Sequence, residues 1–179
     1  MLISLIGYRG TGKTTIGSLL ADRIGWSCID SDVQIEQDMG MSIRQIFDIE
    51  GEEGFRNRES TVIEKLTRLY KVVLSLGGGA ILREQNRKLI KTAGPVVWLT
   101  ASPEELHRRI SGDPLSSTQR PNLTAAGGGL EEIKAVLENR KPLYKECADL
   151  EVDTEGKLPG QIVDEIIKLI GLDDQRALG

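Results

Sequence analysis

The chain is short of cysteine, holds a single histidine, carries no excess of positive charge and contains no long apolar run, and each shortage removes a class of protein. Two cysteines, Cys28 and Cys147, are too few for a disulfide framework, and neither lies in a CxxC or histidine-rich spacing suited to a metal. Both are expected to be reduced and structural. His107 stands beside Arg108 and Arg109 with no acid or nucleophile arranged around it, so it is read as structural or exposed. Lys and Arg total 23 against 27 Asp and Glu, a net charge of −4, which argues against a nucleic-acid surface. Any anion site must then be a local cluster of Lys and Arg. No apolar stretch approaches the roughly 18 residues of a membrane span, and residues 1–6 enter a strand with no basic leader segment. The expectation is a cytoplasmic protein without membrane or nucleic-acid partners. The remaining balance, 179 residues of which 39% are hydrophobic and 28% charged, suits one globular domain with a substantial core.

Against these absences stands one complete motif, Gly7-Tyr8-Arg9-Gly10-Thr11-Gly12-Lys13-Thr14, which fulfils G-x-x-x-x-G-K-[ST]. Leu2, Ile3, Leu5 and Ile6 supply a strand before it, and Ile16, Leu19, Leu20 and Ile24 recur at helical spacing after it. In this context the glycines let backbone N–H groups turn inward, and the helix adds its positive dipole end, making an anion cradle. Lys13 is placed to reach the β- and γ-phosphates of a nucleotide, and the Thr14 hydroxyl to ligate Mg²⁺.

The rest of the chain alternates short apolar strands with helices. Strands are expected at residues 2–6, 27–30, 72–76, 95–99 and 150–152. Helices are expected at 33–39 and 42–49, in a longer stretch through Arg68, from Ser102 and Pro103 onward, and at 130–144 and 159–170. Such alternation implies a three-layer α/β/α sandwich around a central parallel five-stranded sheet. Residues 111–129 break the rhythm with Gly112, Pro114, Pro121 and Gly127-Gly128-Gly129 and read as a mobile loop within a single domain of residues 1–170, and 171–179 as a frayed tail.

In a parallel sheet ligands collect at the carboxyl ends of the strands, where the phosphate loop, Asp30-Ser31-Asp32 and Gly77-Gly78-Gly79 should converge on one cleft. Of the two acids, one can support Mg²⁺ and the other can receive an acceptor hydroxyl. The alternative is that they only cap the following helix. Arg56 and Arg58 are two apart on a helix, so at most one faces the cleft and the other pairs with a surface Glu. The triple glycine costs chain entropy that close approach of a ligand would justify, unless the loop simply needs positive φ. Arg120 reads as a lid arginine or an exposed loop residue, and Arg140 as a site residue or a cation at a helix end.

Taken together, the phosphate loop, Asp30-Ser31-Asp32, Gly54-Phe55-Arg56, Gly77-Gly78-Gly79-Ala80, Arg120-Pro121 and Arg140 to Tyr144 resemble shikimate kinase in order and spacing, over residues 1 to about 170. The resemblance implies the nucleoside-monophosphate-kinase type of P-loop sandwich, acting as a monomer with ATP and Mg²⁺ to phosphorylate the shikimate 3-hydroxyl. It further implies that Gly10, Thr11, Gly12, Lys13, Thr14 and Thr15 bind the phosphates, with Thr14 and Asp30 supporting the metal. Asp32 would be base or orienter for the acceptor. Arg56 and Arg140 would clamp the substrate carboxylate against the Gly78 and Gly79 backbone, Arg120 would act catalytically from the lid, and Arg109, Lys157 and Pro159 would lie near the adenine. The stretch 111–129 departs from the family in its sparse basic residues and second triple glycine. Other readings of the same loop are a gluconate kinase, a nucleoside monophosphate kinase, or a regulatory module that binds ATP without turnover.

Overall fold

The computed structural model describes residues 1–112 and 129–172. Its strands are β1 (Leu2–Ile6), β2 (Ser27–Asp30), β3 (Val72–Ser75), β4 (Val96–Thr100) and β5 (Leu150–Asp153). The helices are α1 (Lys13–Ile24), α2 (Ser31–Met39), α3 (Ile43–Leu66), α4 (Glu84–Ala93), α5 (Pro103–Ser111), α6 (Leu130–Cys147) and α7 (Pro159–Ile170). The five strands form one sheet in the order β2-β3-β1-β4-β5, with every pairing parallel. The expected three-layer sandwich is the observed one.

The pleat sorts the strand residues between two cores. Leu2 and Ile6 of β1, Val72 and Leu74 of β3, and Val96 and Trp98 of β4 face one side, where they meet Ile35, Ile46, Phe55, Ile63, Ile90 and Tyr144 from α2, α3, α4 and α6. Ile3, Leu5, Val73, Val97 and Leu99 face the other, against Ile16, Leu20 and Ile24 of α1 and Ile162, Val163 and Ile166 of α7. Burial on both faces is what makes these strands continuous apolar runs rather than alternating ones. Each fully buried Ile or Leu stabilises the fold by about 1.5–3 kcal/mol relative to exposure, so the inner strands hold a rigid edge for the loops above them.

Two sequence expectations are refined. The helices foreseen on either side of residue 50 form one run, α3, broken at Gly51, whose φ of 70° and ψ of −175° are not helical. Its start is fixed by a capping box in which Ser42 and Gln45 bond reciprocally. Helix α4 was not foreseen. Its buried face carries Asn86 and Arg87 as well as Ile90, and Arg83 at its start provides no side-chain cap, so neither apolar spacing nor an N-cap residue announced it. Both cysteines are free thiols, as expected, and burial pushes the Cys147 thiol up to about 11. No helix among the described residues is long and apolar enough to cross a membrane. Arg120, nearly all of the expected lid and most of the expected tail lie outside the described residues.

Candidate active site

The phosphate loop leaves β1 and enters α1 with Gly10 at φ 85° and Gly12 at φ 89°, left-handed conformations that a side chain would strain. Buried Thr11 braces the turn, its hydroxyl donating to the Tyr8 carbonyl at 2.8 Å. Gly12 caps α1 without a side-chain hydrogen bond, so the first N–H groups of the helix and its positive dipole end are left for an anion. Lys13 folds back across the loop, its Nζ donating to the Gly7 and Tyr8 carbonyls at 2.9 Å each. The cradle is therefore formed and charged within one stretch of chain.

Beside it the carboxyl ends of β2 and β3 deliver oxygen donors. The Thr14 hydroxyl donates to Asp30 Oδ2 at 2.8 Å, and the Ser75 hydroxyl donates to the same oxygen at 3.2 Å. The other Asp30 oxygen caps α2, accepting from the Asp32 N–H at 2.9 Å. Asp30 thus caps a helix with one oxygen and turns the other toward the loop. Asp32 leans over the triple glycine, where a Cβ on Gly77 would stand 2.6 Å from its Oδ1.

Gly77, Gly78 and Gly79 are not in the left-handed region, so positive φ does not explain them. They make room instead for protein side chains. A Cβ on Gly79 would stand 2.5 Å from Arg56 Nη1, as the one on Gly77 would crowd Asp32. Between them the Gly78 carbonyl accepts from Arg140 Nη1 at 3.1 Å and from the Tyr144 hydroxyl at 2.7 Å.

Arg56 is buried, lies over the Phe55 ring, and donates to Glu59 Oε2 at 2.7 Å. Its neighbour Arg58 turns outward to Glu50, so only one of the two faces the interior, as the helical spacing required. Glu59 is 1% exposed. Burial pushes its carboxyl up, opposed by the guanidiniums of Arg56, Arg140 and Arg83 around it. It was missed in the sequence, although its i,i+3 relation to Arg56 was the available signal.

A cleft of about 530 Å³ is lined by Gly10, Gly12, Lys13, Thr14 and Thr15 from the loop side and by Asp30, Asp32, Gly77, Gly78 and Arg109 from the other elements. Arg56, Gly79 and Arg140 do not line it themselves; Arg140 meets it through the Gly78 carbonyl, and Arg56 lies against Gly79, the next residue in the chain. A second hollow of about 430 Å³ shares Gly12, Thr15 and Arg109 with the first and extends to Lys157 and Pro159. Arg109 sits at the junction, held by Glu105 at 2.7 Å and donating to the Gly10 carbonyl at 3.2 Å and to the Thr154 hydroxyl at 3.0 Å. Lys157 pairs with Glu165 at 2.7 Å. His107 is half-buried on α5 and outside both hollows.

A parallel sheet covered on both faces, a phosphate loop at its central strand, and acids at the carboxyl end of β2, one strand removed from it, define a P-loop kinase of the nucleoside-monophosphate-kinase-like class. A family model for shikimate kinase matches residues 9–171. The shikimate kinase of Rhodopirellula baltica is 42% identical over 164 residues, covering 92% of this chain and 87% of the relative. That of Nitrosococcus oceani is 47% identical over 161 residues, covering 90% and 82%. Among solved structures, shikimate kinase from Acinetobacter baumannii in complex with shikimate superposes with a TM-score of 0.88 at 37% identity, covering 94% of this chain and 92% of that one. The chain belongs to the shikimate kinase family. A gluconokinase from Sinorhizobium meliloti, with a TM-score of 0.56 at 16% identity, shares the fold alone.

Proposed function

We infer that the protein transfers the γ-phosphate of ATP to the 3-hydroxyl of shikimate, giving shikimate 3-phosphate and ADP. The observation that carries this reading is the meeting of a complete phosphate loop and Asp32 in one cleft whose Gly78 wall is gripped from behind by Arg140. Phosphoryl transfer asks mainly for positioning and charge neutralisation, and the site offers both.

On the donor side, Gly10, Gly12, Thr14, Thr15 and the first turn of α1 cradle the phosphates, with Thr11 bracing the loop from within. Lys13, released from the Gly7 and Tyr8 carbonyls, neutralises charge on the transferring group. The hollow running to Lys157 and Pro159 takes the base, with Arg109 between base and phosphates. Thr14, Asp30 and Ser75 bring three hard oxygen atoms together, Thr14 Oγ1 lying 2.8 Å from Asp30 Oδ2 and 3.4 Å from Ser75 Oγ, a donor set that fits Mg²⁺. When bound, the ion supplies electrostatic shielding of the phosphate oxygens. Thr14 and Asp30 are the residues that would hold it, directly or through water.

On the acceptor side, Asp32 orients the hydroxyl and takes its proton late in the transfer. Arg56 and Arg140 clamp the carboxylate, since guanidinium forks bind planar carboxylates bidentately and so select which hydroxyl faces the γ-phosphate. Glu59 holds Arg56 in place. Arg120 is assigned the catalytic lid role by resemblance. All the site residues come from one chain, and we assign a single domain over residues 1–170, with a lid at about 111–129 and a tail at 171–179, acting as a cytoplasmic monomer.

ADP release with Mg²⁺ and ATP, in the presence of shikimate, gluconate, AMP or no acceptor, tests the assignment. Stimulation by shikimate alone is expected. Stimulation by gluconate or AMP instead would overturn the acceptor, and ATP binding without turnover of any acceptor would favour the regulatory reading.

A further inference from the structure

The arginine within the phosphate loop has no part in the roles above, yet it lines the main cleft together with Asp32, Gly77 and Gly78. Its backbone borders the acceptor wall: a Cβ on Gly78 would stand 3.6 Å from Arg9 N and 3.8 Å from Arg140 Nη1. Two arginines therefore approach the same glycine from opposite elements. The Tyr8 phenol, 1% exposed, marks the same neighbourhood. Burial pushes its pKa up, and the guanidiniums of Arg9 and Arg140 oppose that shift, Arg9 also by lying within hydrogen-bonding reach of the phenol, with the Glu132 carboxylate adding to it.

Arg9 differs from Arg56 and Arg109 in what its guanidinium meets, which is the Tyr8 phenol rather than a carboxylate. Arg56 has Glu59 and Arg109 has Glu105. Arg9 Nε is buried and makes no hydrogen bond among the described residues. Native proteins keep few buried donors unmade, and those they keep call for a ligand or another explanation. Lys13 and the first turn of α1 already serve the phosphates from the helix side of the loop, whereas Arg9 has its backbone against Gly78 and lines the cleft.

We propose that Arg9 is a third arginine of the acceptor site, a specificity-determining cation whose guanidinium receives an oxygen of the hydroxylated carboxylate acceptor rather than of the nucleotide. The proposal rests on the acceptor reading given above. With three arginines around one small anion, the pocket would favour acids over neutral polyols of the same size, because a charge-assisted hydrogen bond is lost when the carboxylate is absent.

Calorimetric binding of shikimate and of ADP, each alone, to the wild type, R9Q and R9K separates the possibilities. With no γ-phosphate present, any loss for shikimate reports contact with the acceptor itself. R9Q is expected to weaken shikimate binding roughly tenfold while ADP affinity changes less than about twofold, and R9K to recover part of the loss. Unchanged shikimate affinity in R9Q, or an equal loss for ADP, overturns the role of Arg9. Wild-type protein that binds ADP but not shikimate would instead overturn the acceptor reading. Because unfolding would abolish both affinities together, retained ADP binding also verifies that each variant is folded.

Discussion

The two halves of the cleft are built by different means. The donor half is nearly all backbone from one stretch of chain: glycines in left-handed conformations, an uncapped helix start, and a lysine tied to the carbonyls of its own loop. The acceptor half is nearly all side chain, gathered from α2, α3 and α6 onto three glycines that follow β3. A backbone cradle is fixed once the strand and helix form, because its donors cannot rotate away. A side-chain pocket holds its shape only while each member is held by another, and here Glu59 and the Gly78 carbonyl do the holding. On the proposed function, one fold presents a generic site for phosphate beside a specific site for the acceptor, with specificity in the half that is easier to perturb.

If that division is right, changes of chemistry should separate by half. Asp32→Asn keeps the shape beside Gly77 but removes the proton acceptor, and kcat should fall by about 10²–10⁴-fold with ATP binding retained. Lys13→Ala removes charge neutralisation at the transferring group and should lower kcat by on the order of a hundredfold or more. Steady-state kinetics with both substrates varied checks both, and near-normal turnover in either variant would break the assignment of that half.

The next test attacks the dependence of one side chain on another. Glu59→Ala would leave the Arg56 guanidinium buried without its 2.7 Å partner, keeping only Glu52 at 3.6 Å on the exposed side. Breaking a buried pair costs about 3 kcal/mol, so urea unfolding should register the loss while shikimate affinity falls and ADP affinity does not. A smaller effect is expected from Gly79→Ala. The new Cβ would meet the far end of Arg56, which can swing aside, so stability should drop by less than about 1 kcal/mol. Displacing the guanidinium by about 1 Å should nevertheless raise the shikimate KM several-fold. An unchanged KM would show that Arg56 does not grip the acceptor.

The same division explains what the sequence revealed. Gly7 to Thr14 could be read residue by residue because its function depends on contiguous backbone, and the strands could be read because burial on both faces leaves them wholly apolar. Asp30 was legible as to place but not as to task, since capping and facing the loop use its two oxygens separately. The triple glycine was read as making way for a ligand or as needing positive φ; positive φ is not found there, and Asp32 and Arg56 occupy the space that Cβ atoms on Gly77 and Gly79 would fill. That lay beyond sequence reasoning because it depends on how α2 and α3 pack over the end of β3. Helix α4 stayed hidden for a related reason: the side chains it buries are partly polar, Asn86 donating to the Ala80 carbonyl and Arg87 to that of Ile81 in the turn before it, with Arg87 also reaching Glu146 of α6.

The donor half also meets a side chain from outside its own loop, and there the smallest effect is expected. Arg109 reaches the Gly10 carbonyl while Glu105 holds it and Arg108, and those two guanidiniums pull the Glu105 carboxyl from its ordinary 4.5 down to about 2. A carboxyl depressed in the folded state adds stability that is present above its unfolded value and is lost as pH falls from about 4.5 through about 2. Glu105→Gln should therefore remove part of the stability loss seen by urea unfolding between about pH 5 and pH 2.5, since the variant has no carboxylate to protonate. Glu105 and Arg109 are both partly exposed and screened by solvent, so the change at neutral pH should be modest, and ADP affinity should fall by no more than about two- to threefold. A drop as large as that of Lys13→Ala would mean that the cradle leans on Arg109 and is not the self-supporting backbone structure that sets it apart from the acceptor half.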